Sequence, residues 1–248
     1  TWTCDNVVVA TGSFGHTPNL PSISAQLSPA ILQLHSSEYR RPGQLREGPV
    51  LVVGASHSGC DIAFEVAESR PTILAGRDCG EIPPRLDAPV MRMVLPVLLF
   101  AWRHVLTRRT PIGRKVKSEI RRHGGPMLRV KRSDLADRGV ERVTSRIEEV
   151  RDGLPVVDGA PREVTNVVWA TGFRQAFDWI HLPVIDEDGW PREMRGVVAE
   201  ADGLFFCGLC FQYAFSSMLL AGAGRDAALV ADRVTARMRQ AARHPLPA

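Results

Sequence analysis

The run Gly48-Pro49-Val50-Leu51-Val52-Val53-Gly54-Ala55-Ser56-His57-Ser58-Gly59-Cys60-Asp61-Ile62-Ala63 decides how the chain is read. Four consecutive apolar residues, Val50 to Val53, suit a parallel strand covered on both faces. Gly54 supplies a sharp turn that a side chain would obstruct, and Gly59 lets a helix that starts at once lie close to the strand. Between the two glycines, amides at the helix start point outward with the positive end of the dipole, the arrangement that holds a pyrophosphate. The pattern wanted there is G-x-G-x-x-G, and the chain has Gly54-Ala55-Ser56-His57-Ser58-Gly59, with Ser56 in the place of the second glycine. Serine keeps a hydrogen-bonding group near a phosphate while its Cβ limits how closely that phosphate approaches. The next strand, Pro71 to Gly76, ends in Arg77, about twenty residues beyond the turn. An arginine there, with no carboxylate where a ribose 2′-hydroxyl would sit, favours a 2′-phosphate and so NADPH over NADH; a solvated charge at a strand end is the alternative.

The chain has 248 residues, 44% hydrophobic and 23% charged, which suits a globular protein and excludes disordered and fibrous classes. Its net charge of +4 is mild, with basic residues concentrated between Arg103 and Arg132; such a run is ordinarily a solvated face, and it lacks the aromatic interleaving of a nucleic-acid surface. Five cysteines, Cys4, Cys60, Cys79, Cys207 and Cys210, are odd in number and mostly set in apolar runs, so a reducing, cytoplasmic setting is expected rather than a disulfide framework. The seven histidines are scattered, and no metal site is expected. Pro89 to Val105 is apolar but too short to span a bilayer, with Arg92, Pro96 and Arg103 interrupting or bounding it; a helix in the core, at an interface or over a substrate pocket is expected, and no integral membrane segment.

In chain order, Asn6 to Gly12 reads as a buried strand ending in glycine, followed by a Pro- and Ser-rich loop and, over 31–48, a connector. Apolar residues at helical spacing continue the glycine turn into a helix through Glu68. An irregular basic insertion spans 78–132. Ser133 to Gly139 then reads as a short helix with a serine cap, and Val140 to Val143 as a strand. Asp152-Gly153 and Asp158-Gly159 are hairpin signals. Asn166-Val167-Val168-Trp169-Ala170-Thr171-Gly172 restates residues 6–12, an internal echo implying that the chain leaves one sheet region, builds a second domain and returns. Gly203 to Gly208 is a buried strand, and 216–239 a long helix beginning after Ser216 and Ser217.

Taken together, these stretches resemble the two-dinucleotide-binding-domain flavoproteins, specifically the flavin-containing monooxygenase-like group and a bacterial set of FAD- and NADPH-dependent oxidoreductases described as flavoproteins of ion transport. The resemblance rests on Val8-Val9-Ala10-Thr11-Gly12, on Gln33 to Tyr39, on the turn at 54–59, on Val168 to Phe173, on Gly203 to Leu209, and on Gly222 to Ala227, all in the family's order. His35 and Tyr39 match the tail of the monooxygenase fingerprint, whose upstream aromatic and glycine would fall at Pro29 and Ile31, so the Baeyer-Villiger branch is not implied.

The resemblance implies an α/β fold with a Rossmann-like NADP domain, 49–165, inserted into an incomplete FAD-binding domain, of which 1–30 would be a remnant and 166–248 the C-terminal part. It implies NADPH on Gly54, Ser56, His57, Ser58, Gly59 and Arg77, and a cofactor-contacting role for Thr11, Gly12, Thr171, Gly172, Gly208 and Leu209, with the two Ala-Thr-Gly turns packed at the domain junction. The family's FAD-binding glycine turn lies upstream of everything in the chain. The expectation is therefore an N-terminally truncated member that binds FAD poorly alone. The implied chemistry is hydride transfer from NADPH to flavin, then O2 uptake to a peroxyflavin that oxygenates a small organic substrate. No general acid or base is assigned; Gln212 and Ser216 fall near the expected flavin and substrate, or are a loop polar group and a helix cap. Two rival readings are a flavin-linked disulfide reductase using Cys207 and Cys210, which have the C-x-x-C spacing, and a non-catalytic NADP-binding module.

Overall fold

The computed structural model describes residues 1–82, 85, 87–122 and 124–243. Pro83, Pro84, Leu86 and His123 of the expected insertion, and residues 244–248, lie outside the described residues. In chain order the structure contains β1 (Val7–Val9), β2 (Leu32–His35), β3 (Val50–Val53), α1 (His57–Val66), β4 (Thr72–Ala75), α2 (Pro89–His104) and α3 (Pro111–Arg122). These are followed by α4 (Arg132–Asp137), β5 (Glu141–Val143), β6 (Val150–Arg151), β7 (Leu154–Val157), β8 (Ala160–Pro161), β9 (Asn166–Trp169), β10 (Leu204–Phe206) and α5 (Leu220–Arg243).

The chain forms two compact units, one of residues 18–91 and 123–173, the other of residues 1–17, 92–122 and 174–248. The first is built on a five-stranded, wholly parallel sheet in the order β2-β9-β3-β4-β5. Every residue of β3, β4 and β9 is buried, as a sheet covered on both faces requires. One face packs Val50, Val52, Leu74 and Val168 against Cys60, Ala63 and Val66 of α1 and Leu135 of α4. The other packs Leu51, Val53, Ile73, Val167 and Trp169 against Ile23, Leu27 and Val157.

This differs from the domain boundaries expected from sequence. Residues 31–48 are not a connector, because β2 within them pairs in register with β9, Leu34 opposite Val168. Nor does the echo strand 166–169 return to a separate sheet, since β9 lies between β2 and β3. Physically, two short Val-rich strands ending in Ala-Thr-Gly read alike wherever they dock. Residues 92–122 likewise group with the second unit rather than forming part of the first.

The second unit pairs β1 with β10 in parallel, Val8 opposite Phe205, over a core of Val9, Phe177, Val184, Phe206 and Leu209. Val7 and Val8 remain 45% and 44% exposed on β1. Helix α2 is not a core helix: Met91 is its buried residue, while Met93, Val97 and Phe100 are 78%, 68% and 62% exposed. The length of its apolar run matched a buried helix, but no element covers that stripe among the described residues. Asp152-Gly153 and Asp158-Gly159 take positive φ and join β6, β7 and β8 as hairpins. The short helix before β5 is capped at Lys131 rather than by Ser133: the Lys131 amide donates to Asp134 Oδ2 at 2.9 Å. Helix α5 begins at Leu220, after a 3-10 turn over Phe215–Met218 in which the Ser217 hydroxyl accepts from the Ala214 amide at 3.0 Å.

Candidate functional site

In the first unit the segments following β2, β3, β4 and β9 all leave the carboxyl edge of the sheet, the edge where parallel α/β sheets bind ligands. Chain order reverses between β3 and β9, and Gly54 sits in that crevice. Its φ is +111°, and a Cβ there would stand 2.2 Å from the carbonyl oxygen of Ala170 at the end of β9. A Cβ on Gly59 would stand 1.6 Å from the carbonyl oxygen of Gly54. Both glycines are thus required by close approach, and α1 starts on top of the end of β3. His57 and Ser58 are exposed, and the amides of His57, Ser58 and Gly59 make no hydrogen bond among the described residues. Unpaired amides at the start of a ten-residue helix fit a pyrophosphate.

The hydroxyl of Ser56 is engaged elsewhere, donating to the carbonyl of Gly125 at 2.9 Å. A Cβ on Gly124 would lie 2.5 Å from the Ser56 side chain, and one on Gly125 3.0 Å from the His57 ring. The Gly124-Gly125 pair therefore lies directly against the turn, a contact sequence reasoning missed; two consecutive glycines inside a basic stretch were the available signal.

Gly76 follows β4 with φ +134°, and its Cβ would lie 3.2 Å from the Ala55 amide nitrogen, so the end of β4 abuts the glycine turn. Its carbonyl accepts from Arg142 Nη2 at 2.6 Å. Arg77 is exposed, and its side chain has no hydrogen bond or ion pair among the described residues. The expectation that no carboxylate stands nearby needs correction: Asp78 comes next, its Oδ1 accepting from the Gly80 amide at 2.9 Å and its Oδ2 from Arg132 Nη2 at 2.6 Å. The Gly80 amide and then Arg132 hold this carboxyl below the usual range.

The other expected contact residues divide between the units. Thr171 and Gly172 belong to the first: the Thr171 hydroxyl donates to the Asn19 carbonyl at 2.6 Å, and the Gly172 carbonyl accepts from the Asn19 amide at 3.0 Å. His35, 2% exposed, joins them structurally, with Nε2 3.0 Å from the Gly172 carbonyl and Nδ1 2.8 Å from the Ser37 hydroxyl. Tyr39 donates to Glu65 Oε2 at 3.0 Å, and burial together with that carboxylate raises its pKa.

Thr11, Gly12, Gly208 and Leu209 come together in the second unit. Ser13 donates to the Gly208 carbonyl at 2.8 Å, and the Cys207 amide to the Val9 carbonyl at 2.9 Å. Gly208, at φ +83°, has open space where its Cβ would be, while Leu209 is buried. Gln212 is fully buried and fastens this turn, accepting from the Leu209 amide at 3.2 Å and donating to the Phe206 carbonyl at 3.0 Å. Ser216 Oγ is buried and has no hydrogen-bond partner among the described residues.

The cysteines run against dithiol exchange. Burial pushes the Cys210 thiol up to about 11 and raises that of Cys207, whereas a redox pair needs an accessible, low-pKa thiol. Lys117 moves the other way, pulled down to about 8 by burial and by Arg121 and Arg108. Among the described residues no cluster of three or more His, Cys, Asp or Glu side chains is placed to hold a metal ion, and no helix is long and apolar enough to cross a membrane. A depression of about 390 Å³ lined by Pro49, Pro71, Thr72 and Glu141 lies at the amino edge of the first unit's sheet, away from the glycine turn.

A doubly wound parallel sheet with a glycine turn in its reversal crevice is a dinucleotide-binding fold. Residues 1–78 match the pyridine nucleotide-disulphide oxidoreductase family. The uncharacterised oxidoreductase CzcO of Bacillus subtilis is 37% identical over 228 residues, covering 90% of this chain and 63% of that protein. A flavin monooxygenase mutant from Stenotrophomonas maltophilia superposes with a TM-score of 0.60 at 23% identity, over 94% of this chain and 63% of its own. An ornithine N-hydroxylase from Kutzneria sp. 744, in a complex with reduced FAD, NADP+ and L-ornithine, superposes with a TM-score of 0.56 at 17% identity, over 94% and 64%. The chain is thus similar to these oxidoreductases and shares with its structural neighbours the two-dinucleotide-binding-domain flavoprotein fold, and it spans about 63% of the length of the curated relatives it matches.

Proposed function

We propose that the chain is the NADPH-binding and partial flavin-binding portion of a flavin-dependent monooxygenase acting on a small organic substrate with O2. The observation that carries this reading is the set of unpaired amides at His57, Ser58 and Gly59, held on the Gly54 turn beside the free guanidinium of Arg77. The amides would hold the pyrophosphate, Arg77 the 2′-phosphate, and the backbone of the 170–172 turn would border the nicotinamide half of the crevice. In the second unit, the open backbone at Gly208 and the Gly12 turn, with Gln212 fixing the Leu209 turn, would lie along FAD. Bound together, the two cofactors supply hydride transfer and oxygen activation. The protein's own share is to orient the nucleotide on the first unit and, within the second, to keep water from the Leu209 turn with Phe206 and Phe211, all three at most 1% exposed.

Titration of the purified chain with NADPH by calorimetry, followed by NADPH consumption with added FAD and O2, tests the proposal. Micromolar NADPH binding is expected, with NADPH consumption that rises with the excess of FAD added. Binding without any consumption would leave a nucleotide-binding module and remove the enzymatic reading. No binding of NADPH would remove the nucleotide site itself.

A further inference from the structure

Sequence beside Arg77 carries a contradiction that the structure resolves. A carboxylate at the end of the second strand of a dinucleotide fold ordinarily accepts a hydrogen bond from the ribose 2′-hydroxyl and repels a 2′-phosphate, whereas an arginine there receives that phosphate. This chain has both, Arg77 and Asp78, side by side. Both oxygens of Asp78 are taken, Oδ1 by the Gly80 amide at 2.9 Å and Oδ2 by Arg132 Nη2 at 2.6 Å.

Arg132 is itself held in place. It is the first residue of α4, its amide donates to Glu81 Oε2 at 2.9 Å, and α4 packs on the sheet through Leu135, which is 3% exposed. The side chains of Arg132 and Asp78 are 58% and 44% exposed, so a ligand at the mouth of the site meets the pair directly. Other charges nearby among the described residues include Glu81, on the Arg132 amide, Asp134 on α4, paired with Arg85, and Arg142, whose guanidinium is turned inward to the carbonyls of Leu74 and Gly76. Arg77 is left as the unpartnered cation at this edge among the described residues.

Resting on the reading of the 54–59 turn as a nucleotide site, we propose that the Asp78-Arg132 ion pair determines nucleotide specificity. By occupying the carboxylate it withholds the acceptor that a ribose 2′-hydroxyl would use, cancels its repulsion of a 2′-phosphate, and leaves Arg77 to bind that phosphate. Arg132, about fifty-five residues away in sequence, is thus a positioning residue for NADPH that acts through Asp78.

The test is calorimetric titration of the full chain with NADPH and with NADH, which reads affinity and requires no turnover. Wild type should prefer NADPH. Arg132→Gln should lower the NADPH-to-NADH affinity ratio about tenfold, by weakening NADPH and strengthening NADH together, as expected when one charge near the phosphate is unmasked. Asp78→Asn in the same chain should return the ratio to within about twofold of wild type. Asp78→Asn alone should not lower it. A ratio unmoved by Arg132→Gln, a double variant that stays low, or a fall in the ratio for Asp78→Asn alone would overturn this proposal while leaving the nucleotide site standing. Failure of wild type to bind either nucleotide would instead overturn the site itself.

Discussion

Gly59 does its work by having no side chain. A Cβ would be placed 1.6 Å from the Gly54 carbonyl oxygen and 3.2 Å from the Ala170 Cβ, and backbone at the centre of a buried sheet does not yield easily. Gly59→Ala is therefore expected to destabilise the protein by about 3 kcal/mol and to weaken NADPH binding, since relief of the clash requires α1 to slide away from β3. Urea unfolding beside a binding titration checks both; an unchanged midpoint would show that the turn is looser than its geometry. Ser56 reads differently. Its hydroxyl bonds to Gly125, so the serine that replaces the second glycine of the motif has a partner from the chain itself.

At the scale of elements, the strand-turn-helix unit was legible because its signals are local: four apolar residues, a glycine, and apolar spacing in the helix all lie between Val50 and Ala67. Assignment of β2 and β9 to the same sheet was not legible, because strand pairing depends on partners over a hundred residues apart that two similar Val-rich stretches cannot distinguish. The basic stretch 103–132 was hidden for the same reason. It reads as a solvated face, yet Arg108 reaches across 85 positions to Glu193, Nη1 to Oε1 at 2.6 Å, and also donates to the carbonyls of Gln212 and Glu193 at 2.9 and 3.0 Å. Arg121 lies 3.8 Å over the Trp190 ring.

The Glu193 side chain is 1% exposed, so Arg108→Met leaves a carboxylate buried without its partner. A loss of about 3–5 kcal/mol is expected from chemical unfolding. Adding Glu193→Met should recover most of that loss, because replacing both partners removes the stranded charge, although the Gly196 amide then loses its acceptor at Glu193 Oε2. A double variant no more stable than Arg108→Met would show that Arg108 matters through its bonds to the backbone instead.

Across the whole molecule the two units differ in how many elements of a dinucleotide-binding turn each presents. The first has strand, glycine turn, helix start and an arginine unpaired among the described residues, all at one sheet edge. The second has a parallel pair, β1 and β10, with Val7 and Val8 nearly half exposed, and among its described residues no strand leads through a glycine turn into a helix. A flavin dinucleotide held without such a turn forgoes the amides and dipole that ordinarily neutralise its pyrophosphate. The chain should therefore retain NADPH-binding capacity while carrying FAD well below one equivalent after desalting. Calorimetry with NADPH and the visible flavin absorbance of the same preparation measure the two independently. A protein that stays yellow at one flavin per chain would mean that Gly12, Gly208 and the Leu209 turn suffice to hold FAD, and the contrast between the units would then have no consequence for binding.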